Sequence, residues 1–577
     1  MTYLKLIANA LWAGLYGTLI IALLVFFLND ELIGEGLGSR EFASALARVG
    51  LVFTPAIALL FPTLFIFLRF FAARRLGIVW FSLKTIVWIG AATLGTLTAV
   101  YYANLRAFGP LLSPGARDAL RILCGVMAGC WLLAVTAATL AQWRSKGRRT
   151  RHRIAAGCLL LVPIALGAIM APLMPRPVRF GAAAEAMDLT RMEPAGRSLL
   201  IVGLDAASMD FILPFVSAGQ LPAFEHLLKA GASARLNSLR PCVSRAAWTS
   251  LTTGMPPWST GVKDRTLYTM GQAAGALSIL PRGLGMTALI RVGYIRQLPL
   301  RPEGVGPPAV WDILQAMHVR SRVIGWPATR TTVRADDPRV TYRLEKILGP
   351  LAEESAASSA PLAGVLRSAI AADLSARQAV EEPDPDAGDG SGSRLVAVRL
   401  PGLGTVSRHF LRYHLAAEFG DVTPGEEALF GPVLARYYQF ADELIADLEA
   451  RHAELHGLDA DTMVVSAYGI EPVSGWERLG RTLLGRDEDL DVSRPSGTWR
   501  TGPDGALLIQ GPGVAAGARL EEADILDVLP TALYMLGLPM SDDLGGHLQR
   551  RLFTREHLES HPVEIVRGYG IGAAPRL

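Results

Sequence analysis

The chain has 577 residues, of which 51% are hydrophobic and 19% are charged. Soluble globular proteins carry about 25% charged residues, so this composition excludes a chain that lies in water along its whole length. The formal net charge of +4 is too small for the basic surface of a nucleic-acid-binding protein. The 4 cysteines provide neither a disulfide framework nor a cysteine-based zinc site. We therefore expect a membrane protein with a large water-soluble part.

Five apolar stretches fill the first third of the chain. Each is long enough for the roughly 20 helical residues that cross the hydrocarbon core of a bilayer. The stretches are residues 8–28, 50–70, 79–102, 119–142 and 154–175. The first has no small-residue cleavage site after it, so we interpret it as an uncleaved anchor and not as a signal peptide. The sequence thus predicts an all-α transmembrane domain of five helices in residues 1–175.

Basic residues in the short loops predict the orientation. Arg74 and Arg75 lie between the second and third stretches, and six basic residues lie in 144–153, between the fourth and fifth. Loops rich in Lys and Arg stay in the cytoplasm. We therefore predict an integral inner-membrane protein with a cytoplasmic N-terminus and a large extracytoplasmic, periplasmic C-terminal domain.

After a linker at 176–197, residues 198–577 have the pattern of one α/β domain. Apolar runs typical of buried strands occur at 198–205, 323–325, 395–400, 463–466 and 506–509. Helical patterns lie between and after them, notably at 222–230, 426–457 and 521–537. This alternation predicts a sheet with helices on both faces. Residues 381–393, rich in Pro, Asp and Gly, predict a flexible loop within the domain.

The order of several short motifs resembles the type I phosphodiesterase/nucleotide pyrophosphatase group of the alkaline phosphatase superfamily. The motifs are Val202–Asp205, Pro241–Gly254, Val310–Leu314, Gly325–Pro327, Asp527–Thr531, Leu536–Pro539 and Leu544–Gly546. The resemblance covers residues 198–553 and implies an alkaline-phosphatase-like sheet behind the membrane anchor. A multi-span anchor before such a domain also resembles lipoteichoic acid synthases and phosphoethanolamine transferases.

The resemblance implies chemistry at two divalent metal ions, zinc or manganese, that activate a Ser or Thr nucleophile and clamp the attacking and leaving oxygens. Asp205 matches the first metal-binding Asp of the family, Ser244 matches the nucleophile, and His409 matches the His of an Asp-x-x-x-His motif. Each also has a structural explanation: Ser244 as a helix N-cap, Asp205 as an acceptor for backbone amides, and His409 as an isolated helical His.

Most other expected ligands are replaced. Thr405 stands where the family has an Asp, Ala467 and Tyr468 stand where it has Asp-His, Trp499 stands where a late His is expected, and Thr260 replaces the His after the first helix. The remaining matches cannot supply the three or four ligands that each metal ion needs. Bulky replacements would fill the volume left by ligands and metal.

Two functional hypotheses follow. The first is a catalytically inactive relative, a binding or scaffold component of the cell envelope without a cofactor. The second is an active phosphodiesterase or phosphotransferase that acts on a nucleotide, lipid head group or envelope polymer, with Ser244 as nucleophile and two zinc or manganese ions. Expected partners are the lipid bilayer and an envelope protein or phosphorylated ligand, but no nucleic acid.

A further segment, 265–302, contains no acidic residue, and its arginines are interleaved with apolar residues. One hypothesis is that Arg282, Arg291 and Arg296 contact an anionic membrane surface or a partner. The alternative is an ordinary insertion that packs on its own α/β domain.

Overall fold

A computed structural model describes residues 2–29, 47–59, 83–140, 146–173, 197–264, 266–269, 277–299, 307–326, 337–349, 356–382, 394–456, 460–473 and 495–569. Three predicted regions lie largely or wholly outside the described residues: the linker at 176–197, the flexible loop at 381–393, and the loop with Arg74 and Arg75. The chain divides into two units, 1–178 with 261–301, and 179–260 with 302–577. Each is described by itself.

The helices of the described residues are numbered in chain order. They are α1 (Thr2–Leu28), α2 (Ala47–Leu59), α3 (Leu83–Phe108), α4 (Pro114–Leu140), α5 (Lys146–Leu173), α6 (Met209–Ser217), α7 (Pro222–Ala230), α8 (Ser244–Thr253), α9 (Pro257–Thr260), α10 (Met286–Arg291), α11 (Val310–Ala316), α12 (Pro338–Leu348), α13 (Ala356–Glu381), α14 (Gly402–His414), α15 (Ala416–Phe419), α16 (Pro424–Phe430), α17 (Val433–His456), α18 (Val528–Met535) and α19 (Arg555–Ser560). Short 3-10 helices span Gly109–Leu111, Ile525–Asp527 and Arg550–Leu552.

The strands are numbered in the same way. They are β1 (Leu199–Leu204), β2 (Ala232–Asn237), β3 (Thr266–Thr269), β4 (Arg296–Pro299), β5 (Ser321–Ile324), β6 (Leu395–Leu400), β7 (Asp461–Ser466), β8 (Glu471–Pro472), β9 (Gly497–Thr498), β10 (Gly505–Gln510), β11 (Arg519–Asp524), β12 (Met540–Ser541) and β13 (Ile565–Val566).

The N-terminal unit consists mainly of long apolar helices. Three of the described helices are long and apolar enough to cross a membrane: Ile7–Leu28, Pro114–Leu140 and Arg151–Ala171. The third predicted stretch is helical in α3 but is not among these three. The second begins in α2, and its part beyond residue 59 lies outside the described residues. The prediction of apolar N-terminal helices is therefore confirmed, whereas their number as membrane spans remains a prediction.

The C-terminal unit is built on a seven-stranded mixed sheet with the order β11-β2-β10-β7-β1-β6-β5. Strand β1 pairs in parallel with β6 and β7, while β10 is antiparallel to both of its neighbours. All residues of β1 and β7 are buried, as expected for strands covered on both faces. The predicted mixed α/β class is confirmed, and all five predicted strands lie in this sheet.

Two strands of the seven-stranded sheet and two helix boundaries differ from the sequence prediction. Strand β2 was not predicted, and residues 521–524 belong to strand β11 and not to a helix. Strand β11 lies at the sheet edge and is mostly exposed, so it lacks the apolar run by which buried strands are recognised. The helix predicted at 426–457 is two helices, α16 and α17, because Pro432 between them has no backbone N–H to donate to the preceding turn.

Candidate functional site

Asp205 and Arg399 form a bidentate ion pair at the carboxyl edge of the central sheet. Asp205 follows the last residue of β1, and Arg399 lies on the adjacent parallel strand β6, where it is in register with Gly203. Arg399 donates from Nε to Oδ1 of Asp205 at 2.9 Å and from Nη2 to Oδ2 at 2.7 Å. The carboxylate is 8% exposed, so a buried negative charge is neutralised by a buried positive one.

A tryptophan completes the shell around this carboxylate. Trp248 Nε1 donates to Oδ1 of Asp205 at 2.9 Å, and the Arg399 guanidinium lies 5.1 Å from the centre of the Trp248 ring. A Cβ atom on Gly203 would come within 3.0 Å of the rings of Trp248 and Trp326. Gly203 therefore lets the indoles of Trp248 and Trp326 pack directly on β1. Both oxygens of Asp205 accept hydrogen bonds from protein donors.

Ser244 is the first residue of α8, and its hydroxyl shares a hydrogen bond of 2.6 Å with the hydroxyl of Tyr468. The N-cap position is Val243, so the structural explanation of Ser244 as the N-cap is wrong. Burial above all raises the pKa of Tyr468 well above its ordinary value, and Arg399 also hydrogen-bonds this phenol. Either hydroxyl of this pair can be the donor, and the raised pKa keeps the phenol protonated at neutral pH. Tyr468 is thus no general base for Ser244 at neutral pH.

Helix α14 presents residues 404 and 408 to this cluster. A Cβ atom on Gly404 would lie 2.7 Å from Cβ of Asp205, and the Arg408 guanidinium lies 5.6 Å from the centre of the Trp499 ring. Thr405 and His409, which the sequence comparison placed here, are one position further along and about 100° further round the helix. Thr405 donates to the carbonyl of Pro401 at 3.4 Å, and His409 is half-buried.

The other replaced positions are uncharged, and all of them are buried except Trp499, which is half-buried. Ala467 and Tyr468 follow β7 directly and are almost fully buried, and Tyr468 lies 5.6 Å from Trp499 between ring centres. Thr260 is buried at the end of α9, where its hydroxyl donates to Pro257. The structure therefore brings Asp205, Ser244, Tyr468 and Trp499 into one aromatic cluster.

The donor set of this cluster does not fit a divalent metal. Within the described residues, no three His, Cys, Asp or Glu side chains are grouped as metal ligands. Asp205, the one carboxylate of the cluster, is held on both oxygens by a guanidinium that stays protonated. A metal ion there would have to displace this cation or share the carboxylate with it.

Behind the cluster, a buried carboxyl holds the start of α14. Asp373 accepts hydrogen bonds from the Gly402 amide at 2.8 Å and the Tyr437 hydroxyl at 2.9 Å. Burial raises the pKa of Asp373 to about 7, against the opposing effects of these two donors. Asp373 thereby fixes the helix that carries Gly404 and Arg408.

The sequence comparison missed Arg399, Trp248 and Arg408. A signal for Arg399 was present, because it is a single charge in the otherwise apolar run 395–400. Charged residues are almost never fully buried unless they are paired, so Arg399 implied a buried partner such as Asp205. Trp248 and Arg408 carry no comparable signal.

The chain matches the family described as type I phosphodiesterase / nucleotide pyrophosphatase over residues 199–522, more than half of its length. The chain belongs to this family. Among solved structures, human ectonucleotide pyrophosphatase / phosphodiesterase 5 is similar at 13% identity, with a TM-score of 0.33, covering 59% of this chain and 95% of that one. No curated protein sequence matches the chain.

Proposed function

We propose that the chain is a membrane-anchored, catalytically inactive member of the type I phosphodiesterase family that binds a ligand or protein partner in the cell envelope. The observation that carries this proposal is the bidentate pair of Arg399 and Asp205, at the residue where the family resemblance implies a metal ligand.

Arg399 can replace the charge of a metal ion but not its chemistry. The guanidinium neutralises Asp205, which removes the cost of a buried unpaired carboxylate. It offers no open coordination position, so it cannot activate a nucleophile by direct coordination or act as a Lewis acid on a phosphoryl oxygen. The hydroxyl that Ser244 contacts is the phenol of Tyr468, whose raised pKa makes it a poor general base at neutral pH.

Aromatic packing supports the same proposal. Trp248 lies edge-on to Trp326 at 5.3 Å and to Tyr468 at 6.4 Å between ring centres. Tyr468 in turn packs on Trp499. Such rings fill the space that metals and their ligands would need, so the domain keeps a dense core in the absence of ions.

For the anchor we propose five membrane spans, an N-terminus in the cytoplasm and the C-terminal domain in the periplasm. Residues 277–299 contact the end of α1 at Asn29, the start of α2 at Arg48, and the last turns of α3 at Asn104. These three points lie on one side of the membrane if the first three helices cross it in alternation. Positive charge at 74–75 and at 144–153, where residues 146–153 form the start of α5, supports a cytoplasmic location for the opposite side.

Hydrolysis of bis-nitrophenyl phosphate by the purified full chain, with zinc or manganese added, tests the loss of activity. We expect no turnover above the buffer blank, and no difference between the wild type and Ser244→Ala. Ser217→Ala is the matched control, because Ser217 is an exposed helical serine whose hydroxyl donates to Leu213. Metal-dependent turnover that Ser244→Ala abolishes and Ser217→Ala retains would contradict the proposal.

The second candidate function is an active phosphodiesterase or phosphotransferase with Ser244 as nucleophile. It is favoured by the position of Ser244 in the first turn of the ten-residue helix α8, where backbone amides favour a bound phosphate. It requires Arg399 to release Asp205 to a metal ion, so the same assay separates the two functions.

A further inference from the structure

The described part of the basic insertion, residues 277–299, is fixed to the end of α1 by a buried asparagine. We call these residues the outer segment. Asn29 Oδ1 accepts from the amides of Ser278 at 2.8 Å and Ile279 at 2.9 Å, and Asn29 Nδ2 donates to the Ile279 carbonyl at 3.0 Å. Asn29 follows the last residue of α1 and is fully buried. The segment therefore begins where an apolar helix ends.

A second buried asparagine repeats this arrangement on α3. Asn104 Oδ1 accepts from the Arg282 amide at 2.7 Å, and Nδ2 donates to the Arg282 carbonyl at 3.0 Å. The Arg282 guanidinium lies 4.8 Å from the centre of the Phe108 ring. Arg282 thus attaches the outer segment to a helix. These residues group with the N-terminal unit.

The rest of the outer segment exposes basic and apolar side chains together. Arg291 and Arg296 are exposed, Val292 is 75% exposed and Leu298 is 43% exposed. Between them, Tyr294 donates to the Arg48 carbonyl at the start of α2. These side chains are therefore carried next to a third helix end, and no acidic residue between 265 and 302 offsets their charge.

We propose that the outer segment is a binding surface for the anionic phospholipid headgroups of the leaflet beside these helix ends. Arg291 and Arg296 pair with lipid phosphates, and Val292 and Leu298 lie against the upper acyl chains. Two features select this occupant: the surface continues directly from apolar helices, and its charge is complementary to an anionic membrane surface. The proposal rests on the membrane placement given under the proposed function.

The experiment measures lipid retained by the full chain in detergent micelles by native mass spectrometry, during titration with phosphatidylglycerol or phosphatidylcholine. We expect the wild type to prefer phosphatidylglycerol. Arg291→Gln combined with Arg296→Gln should lower the apparent affinity for this lipid about 30-fold, since each basic side chain near an anionic surface contributes about fivefold. Arg550→Gln combined with Arg551→Gln is the matched control, because it removes the same charge from two exposed arginines of the C-terminal unit.

Several outcomes would overturn the inference. Equal retention of the two lipids by the wild type would do so, as would an unchanged preference in the Arg291/Arg296 variant. If the Arg291/Arg296 variant lost a bound protein partner but kept its lipid preference, the surface would be assigned to that partner. Failure of the membrane placement is distinguished from failure of the lipid proposal by extraction of membranes with alkaline carbonate. Release of the chain by this treatment would show that it is not an integral membrane protein. Arg291→Lys combined with Arg296→Lys, which keeps the charge, should retain the preference, and circular dichroism checks that every variant is folded.

Discussion

Arg399 donates two hydrogen bonds to Asp205 across a pair of adjacent parallel strands, at 2.9 and 2.7 Å. Strands β1 and β6 end at the same edge of the sheet, so the pair needs no loop to bring it together. The carboxylate is also bonded by Trp248. An aspartate that the family resemblance assigns to metal binding thus has a permanent organic cation as its counterion.

The first prediction concerns this ion pair. Arg399→Ala should lower the free energy of unfolding by about 3–5 kcal/mol, because it leaves Asp205 as a buried and unpaired charge. Arg399→Lys should recover part of the loss, since it restores the charge but not the two parallel hydrogen bonds. Urea unfolding of the full chain in micelles, followed by tryptophan fluorescence, measures these values.

A double variant provides the control. Arg399→Ala combined with Asp205→Ala removes both charges, so its loss should be well below the sum of the two single losses. Strict additivity would show that the two side chains do not stabilise each other.

The second prediction concerns the close approach of α14 to Asp205. Gly404→Ala should destabilise the chain by about 1–3 kcal/mol, because the new Cβ atom would lie 2.7 Å from Cβ of Asp205. Gly364→Ala is the matched control in α13, where a Cβ atom meets nothing within 4 Å. It should stabilise the chain by up to about 1 kcal/mol through helix propensity. Equal effects of the two variants would contradict the geometry.

The third prediction concerns the hydrogen bond of 2.6 Å between Ser244 and Tyr468. Ser244→Ala and Tyr468→Phe should each be destabilising. A double-mutant cycle should give a coupling energy of about 0.5–1.5 kcal/mol, the net contribution of one buried hydrogen bond. A coupling energy of zero in urea unfolding would mean that the two hydroxyls are not paired in solution.

The sequence predicted where five strands of the central sheet lie along the chain, since buried strands are continuous apolar runs. It did not predict β2 or β11. Strand β2 alternates small and polar residues, and β11 is an exposed edge strand. Strand β11 therefore has no apolar run to identify it, whereas the alternation in β2 is a strand pattern that was overlooked.

The site was predicted less completely than the fold. Asp205, Ser244, Tyr468 and Trp499 meet as the motif comparison suggested, but the face of α14 is displaced by one residue, from Thr405 and His409 to Gly404 and Arg408. A helix repeats every 3.6 residues, so spacing alone does not separate two neighbouring registers. Arg399 lies outside the motifs, and its pairing with Asp205 depends on strand order, which a single sequence does not contain.

The fourth prediction concerns pH. Burial raises the pKa of Asp373 from its usual 3.8 to about 7, with the nearby Asp205 acting in the same direction and Gly402, Tyr437 and Arg399 opposing it. The folded chain therefore retains a proton that the unfolded chain releases between these two values. This contribution to stability is complete below pH 4 and is lost as the pH rises to about 7.

Asp373→Asn tests this contribution, because an amide cannot release the proton. The stability of the variant relative to wild type should increase as the pH rises from 4 to 7, and should then stay constant. Thermal unfolding across this range measures the difference. Parallel curves for Asp373→Asn and wild type would contradict the account.

The metal content of the purified full chain tests the central claim most directly. The chain is incubated with zinc and manganese, freed of unbound ions by gel filtration, and analysed by inductively coupled plasma mass spectrometry. Because Arg399 holds both oxygens of Asp205, the wild type should retain no stoichiometric metal. Retention of about two ions per chain, as a two-metal phosphodiesterase centre requires, with loss of both in Asp205→Ala, would contradict the account.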